Sequence, residues 1–191
     1  MPDVYVEDMK YDKVDFTQKN LERGEYEYCE FNNCDFSNTN LSFMKFVECT
    51  FNGCNLSLVK LGKTAFRDVV FKDCKMLGLH FYDCDDFVLS FSFDNCTLNH
   101  SSFFGVKIRN TKFKSSQLQE VDFTDCDLTS AILSDCNLVD AKFENTNIEK
   151  ADFRTATNYS IDLEKNKIKK AKFAYPGVIG LLDKYDIVIE K

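Results

Sequence analysis

An apolar residue returns every five positions along most of this chain. Starting at Tyr11, the series runs through Phe16, Leu21, Tyr26, Phe31, Phe36, Leu41, Phe46, Phe51, Leu56, Leu61, Phe66, Phe71 and Met76 to Phe81. It resumes at Phe93 and continues through Leu98, Phe103, Ile108, Phe113, Leu118, Phe123, Leu128, Leu133, Leu138, Phe143 and Ile148 to Phe153. No position in either series is polar. An amphipathic helix needs apolar residues three and four apart, and a half-buried strand needs them two apart. A period of five fits neither. It fits a backbone that turns a corner every five residues, with the central residue and the one two before it pointing inward and the other three facing solvent.

Four such sides close a square coil of 20 residues, and successive coils stack by parallel backbone pairing. The period of 20 places Phe31, Phe51, Phe71, Phe93, Phe113, Leu133, Phe153 and Phe173 on one side. Leu21, Leu41, Leu61, Phe81, Phe103, Phe123, Phe143 and Leu163 fall on another. Both alignments require two extra residues between Phe81 and Phe93, within YDCDDFVLSF. A bulge at Asp85, Asp86 and Phe87 is expected there, with Phe87 either an outward contact residue or, the favoured alternative, folded back into the core in place of Val88. With only 7 Gly and 2 Pro in 191 residues, the corners must be built from Asn, Asp, Ser and Lys.

The nine cysteines are explained by the same frame. Cys29, Cys34, Cys49, Cys54, Cys74, Cys84, Cys96, Cys126 and Cys136 all occupy the small inward position. Thiols stacked this way act as small hydrophobes. Zinc would require paired, convergent ligands, and a disulfide between parallel Cβ vectors would be strained. Buried free thiols with no metal are expected.

Units such as CDFSN, CNLSL, VDFTD, CDLTS, CNLVD, AKFEN and ADFRT resemble those of the pentapeptide-repeat family, over residues 9–155 and more loosely to 175. The resemblance implies an all-β fold, a right-handed quadrilateral β-helix of about eight coils over residues 1–175, broken between 82 and 92. It also implies a C-terminal cap over 176–191. Family members that bind DNA gyrase or topoisomerase IV, some of them conferring quinolone resistance, are of similar size and acidity and end in a similar helix through which they dimerise. A homodimer interface formed by Val178, Ile179, Leu181, Leu182, Ile187 and Ile189, with Ile187–Ile189 as a terminal strand, is the corresponding expectation.

Chemistry-bearing patterns are sparse. His80 and His100 both fall on outward positions, and there is no nucleophile elbow or phosphate-binding glycine loop. A filled solenoid has no pocket of its own, so no enzyme activity and no cofactor are expected. The net charge of −7 argues against direct binding to nucleic acid. The absence of a signal-like segment or a long apolar run points to the cytoplasm and away from membranes. Acids concentrate in two stretches. One contains Glu22, Glu25, Glu27, Glu30 and Asp35; the other contains Glu120, Asp122, Asp125, Asp127, Asp135, Asp140 and Glu144. Spaced along a rod, such carboxylates can imitate the phosphates of duplex DNA toward a type II topoisomerase. The alternatives are that they only keep the rod soluble, or that the rod is a scaffold docking another protein through outward residues such as Phe43, Leu58 and Phe104.

Overall fold

Every strand in the computed structural model, which describes residues 3–189, pairs in parallel with the strand one coil away. The strands are short: β1 (Val4–Glu7), β2 (Lys10–Asp12), β3 (Gly24–Glu27), β4 (Glu30–Asn32), β5 (Lys45–Val47), β6 (Thr50–Asn52), β7 (Ala65–Arg67), β8 (Val69–Lys72), β9 (Phe91–Asp94), β10 (Lys112–Lys114) and β11 (Ile132–Ser134). One face is the four-stranded sheet β1-β3-β5-β7, and the next is the seven-stranded sheet β2-β4-β6-β8-β9-β10-β11. Single bridges such as Asp35↔Asn55, Asn55↔Lys75, Ser102↔Asp122 and Asp122↔Lys142 hold the other two faces. The register is Phe31↔Phe51 and Phe51↔Phe71, then Phe71↔Phe93, which locates the two-residue insertion where the sequence puts it. The longest sheet stacks seven strands rather than the expected eight coils. Beyond β11 its column continues only as the bridges Ile132↔Asp152 and Asp152↔Lys172, with too little extended backbone for a strand.

Two local devices make the corners. Asp or Asn immediately before a central residue accepts a hydrogen bond from the amide two residues on, as in Ser37 to Asp35, Ser57 to Asn55, Thr124 to Asp122 and Arg154 to Asp152. The residue two after the centre then takes a left-handed conformation. Asn38 (φ 58°), Phe43 (φ 64°), Leu58 (φ 58°), Asp125 (φ 57°) and Asp140 (φ 56°) all do so without being glycine. Each costs on the order of 1 kcal/mol, least for Asn and Asp.

The core offsets that cost. Rings stack along the axis at 4.7 Å for Phe31–Phe51, 5.2 Å for Phe51–Phe71 and 5.4 Å for Phe71–Phe93. A second column stacks Phe81–Phe103 at 4.3 Å and Phe103–Phe123 at 5.4 Å. Between columns the rings meet edge to face, as Phe103 and Phe113 do at 90°.

At the insertion the expected infolding of Phe87 does not occur. Phe87 is 67% exposed and Val88 59%, while Leu89 packs against the core. With Leu89 supplying the apolar contact, Phe87 swings out beneath the Arg67 guanidinium, 5.6 Å from the ring centroid. Near the C-terminus, Asn158 is exposed, and Tyr159 and Ile161 fill the interior. Val88 combines a β-branched side chain with φ 55° and buries little. Val88→Gly is therefore expected to raise stability by about 1 kcal/mol, measured by chemical denaturation.

Candidate binding surfaces

Because each five-residue side turns by a right angle, a run of acids in sequence becomes a ring in space. Glu120 and Asp140 occupy equivalent corner positions in adjacent coils, where the Glu120 amide donates to the Val139 carbonyl at 2.9 Å. Asp122 lies on the next face, Asp125 at its corner, Asp127 on the face after that and Asp135 two corners beyond Asp125. The seven residues are thus distributed around the rod. Side chains one coil away engage two of them: the Lys165 ammonium pairs with Glu144 at 3.0 Å, and the His100 ring nitrogen Nδ1 lies 3.3 Å from Glu120. In the N-terminal acidic stretch, Lys45 pairs with Glu25, Lys10 with Glu30, and the Tyr5 hydroxyl donates to Glu27.

Asp127 is the most constrained carboxylate of the set. Partial burial works against its ionisation, but the Thr129 hydroxyl and amide and the Arg109 guanidinium, 2.7 Å away, outweigh it and hold the carboxyl below its usual range. Asp127 thus serves to fix a corner as well as to charge the surface.

The bulge forms a second surface. The turn after the 3-10 helix Phe81–Asp83 is closed by the Phe87 amide donating to Asp85 at 3.0 Å. Beside it runs a groove of about 310 Å³ whose lining includes Lys63, Tyr82, Asp86, Leu89, Phe104 and Lys107. Tyr82, Phe104 and Phe87 are exposed aromatics at or next to this groove, and His80 stacks on Tyr82 at 5.1 Å. The sequence marked Phe104 and the bulge separately; their adjacency follows from the 20-residue register. Tyr82 carried no sequence signal beyond its outward position.

The third surface is the C-terminal end. Residues Tyr175–Leu181 and Asp183–Tyr185 form two short 3-10 helices, the first lying over Tyr159 and the second tied through Lys184 to Asp162 and Glu164. A side chain at Gly180 would meet the Tyr159 carbonyl, and the Gly180 carbonyl accepts from the Ile161 amide at 3.0 Å. Val178, Leu181 and Leu182 are half-buried, whereas Ile179, Ile187 and Ile189 are exposed. The expected strand at Ile187–Ile189 is absent, since the αL turn at Asp186 (φ 48°) leads the chain out with no backbone partner among the described residues.

All nine cysteines are free and buried. Burial pushes the Cys49 and Cys136 thiols up to about 12, and those of Cys84 and Cys126 up as well. Among the described residues there is no cluster of metal-binding side chains and no helix long and apolar enough to cross a membrane.

A family model for the pentapeptide repeat region matches residues 24–103, 86–153 and 107–173. No curated protein matches the chain. Among solved structures, QnrB1, described as a plasmid-mediated fluoroquinolone resistance protein, superposes with a TM-score of 0.63 at 15% identity. That match covers 99% of this chain and 100% of the other. HetL, a pentapeptide repeat protein involved in heterocyst differentiation regulation in the cyanobacterium Nostoc, gives 0.64 at 12% identity over 88% of this chain and 82% of its own. At these identities the likeness is one of fold.

Two outcomes test these surfaces. Native-state thiol labelling should be slow at every cysteine and become fast only on unfolding; fast labelling of several thiols in the folded protein contradicts the stacked-core assignment. The lowered pKa of Asp127 stabilises the fold above the unfolded carboxyl value of about 4 and ceases to do so as pH falls through the folded value. Arg109→Ala should therefore cost on the order of 1 kcal/mol at neutral pH, with the gap closing in acid, as read from urea midpoints across pH.

Proposed function

The chain belongs to the pentapeptide-repeat family, and from that premise we propose that it is a non-enzymatic binding protein that presents its solenoid surface to a protein partner. The observation that carries this reading is the division of labour along every coil: the inward positions are filled, and all the variation in charge and shape lies outside. Among the described residues no cluster of His, Cys, Asp and Glu is gathered that could hold a metal ion.

The partner favoured by the charge is an enzyme with a basic DNA groove. A rod of net charge −7, with carboxylates recurring at strand spacing along its corners, can take the place of duplex DNA on a type II topoisomerase. The fold likeness to a fluoroquinolone resistance protein supports quinolone sensitivity as the affected trait. The ring-like placement of Glu120, Asp122, Asp125, Asp127, Asp135, Asp140 and Glu144 means that a groove enclosing the rod would engage more of them than a flat surface could. A second reading rests on the bulge: Tyr82, Phe87 and Phe104 flank a groove and suit a scaffold that docks an apolar protein segment.

Supercoiling by purified gyrase, with and without a quinolone, separates the two. Under the topoisomerase reading the protein either inhibits supercoiling or relieves drug-stabilised cleavage, the effect weakens with salt, and it falls roughly tenfold when Glu120 and Asp140 become Lys. No effect at any concentration, with Phe87→Ser abolishing capture of another partner, supports the scaffold instead.

A further inference from the structure

Charge is polarised along this rod. Residues 1–50 carry 11 acids against 5 bases, whereas residues 151–191 carry 6 acids against 8 bases. The ends are also unlike in shape and alike in register. At the N-terminal end, β1 and β2 stand at the limits of their sheets, so their outer edges have no partner strand among the described residues. Behind them lies a recess of about 440 Å³ whose lining includes Val4, Val6, Tyr11, Val14, Phe16 and Leu21. At the C-terminal end, the 3-10 cap covers only part of the last coil. The rest of that coil, residues 165–174, follows the face of β1 and then that of β2.

The backbone there is poised to continue. In the coil before, the amides of Ile148, Lys150 and Phe153 donate to the carbonyls of Lys167, Lys169 and Lys172. The amides one coil on, at Ile168, Lys170 and Phe173, have no backbone acceptor among the described residues. Counting the next coil forward places Tyr5, Val6, Glu7 and Asp8 of a second copy beside Lys167, Ile168, Lys169 and Lys170. Glu7 then meets Lys169, and Asp8 meets Lys170. All four charged residues are exposed, and none forms an ion pair within its own chain among the described residues. The same step puts Tyr11 of the second copy on Phe173. It would extend a ring column that already stacks Tyr11 on Phe31 at 4.9 Å at one end and Phe153 on Phe173 at 5.4 Å at the other.

We propose that the two ends of the solenoid are complementary docking surfaces, and that a second copy of this chain adds head to tail with the coil register unbroken. The contact is heterologous. It leaves one free end of each kind, so association is open-ended rather than closed at two. It is independent of the topoisomerase reading, which concerns the sides of the rod.

Sedimentation velocity over a concentration series tests it. The expected result is a progressive shift to dimer, trimer and longer species, weakened by salt. Two charge-reversed proteins sharpen the test: E7K/D8K, and K169E/K170E. Each alone should associate at least roughly tenfold more weakly than the parent, because each junction then sets like charges together. An equimolar mixture should recover association, since both of its junctions pair opposite charges. The recovery also shows that both variants are folded. A species that stops at dimer and ignores the Glu7 and Asp8 changes would overturn the proposal in favour of two-fold pairing through the cap. A protein that remains monomeric to millimolar concentration, or a mixture that does not recover association, would overturn it outright.

Discussion

The stacking of one inward side chain on its equivalent 20 residues later is the contact on which everything else in this molecule rests. A square coil has room for four central and four small side chains, so the interior is a set of columns rather than a general apolar volume. Within a column the spacing is set by parallel backbone pairing, and rings at about 5 Å fit it. That match allows Phe to recur down two faces and explains why a thiol or an alanine serves at the neighbouring position, where the corner leaves little room. The strained αL corners of the regular coils are tolerable because each follows a buried or half-buried residue two positions earlier.

Where this contact applies, the sequence was nearly transparent. The register, the size of the insertion and the burial of all nine thiols follow from counting, because any slip would carry Phe into water and Asp into the core. Legibility fails where more than one apolar residue competes for one column site. Phe87, Val88 and Leu89 are consecutive, and nothing in their composition says that Leu89 takes the interior while Phe87 packs beneath Arg67. The same holds near the C-terminus, where the five-residue step beyond Phe153 falls on the exposed Asn158 and Tyr159 and Ile161 fill the interior instead. At Ile187–Ile189 a strand-like composition had no edge to pair with. The acidic sites were legible as residues but not as a surface, since linear proximity becomes angular dispersion on a square coil.

That dispersion bears on how such a rod recognises anything. An extended partner lying along one face reads one residue from each coil, whereas a partner gripping the rod reads consecutive residues of one or two coils. Under the topoisomerase reading proposed above, the carboxylates at 120–144 suit the second kind of partner. Under the scaffold reading, the aromatics around the bulge suit a local contact at a single corner. The rod can thus carry distinct interactions on its sides and at its ends without any of them disturbing the core.

The two-residue insertion between Phe81 and Phe93 has a wider consequence for how such a chain can vary. It adds length at a corner and leaves the coils on either side in phase, so the surfaces above and below it keep their mutual orientation. An insertion or deletion of five residues would be different. The core columns could re-form with one side more or fewer, but every outward residue beyond the change would be turned by a quarter revolution relative to those before it. A change of 20 would lengthen or shorten the rod and turn nothing. Length variation in this architecture is therefore a rotary adjustment, in which the number of residues gained or lost sets the angle between one half of the molecular surface and the other.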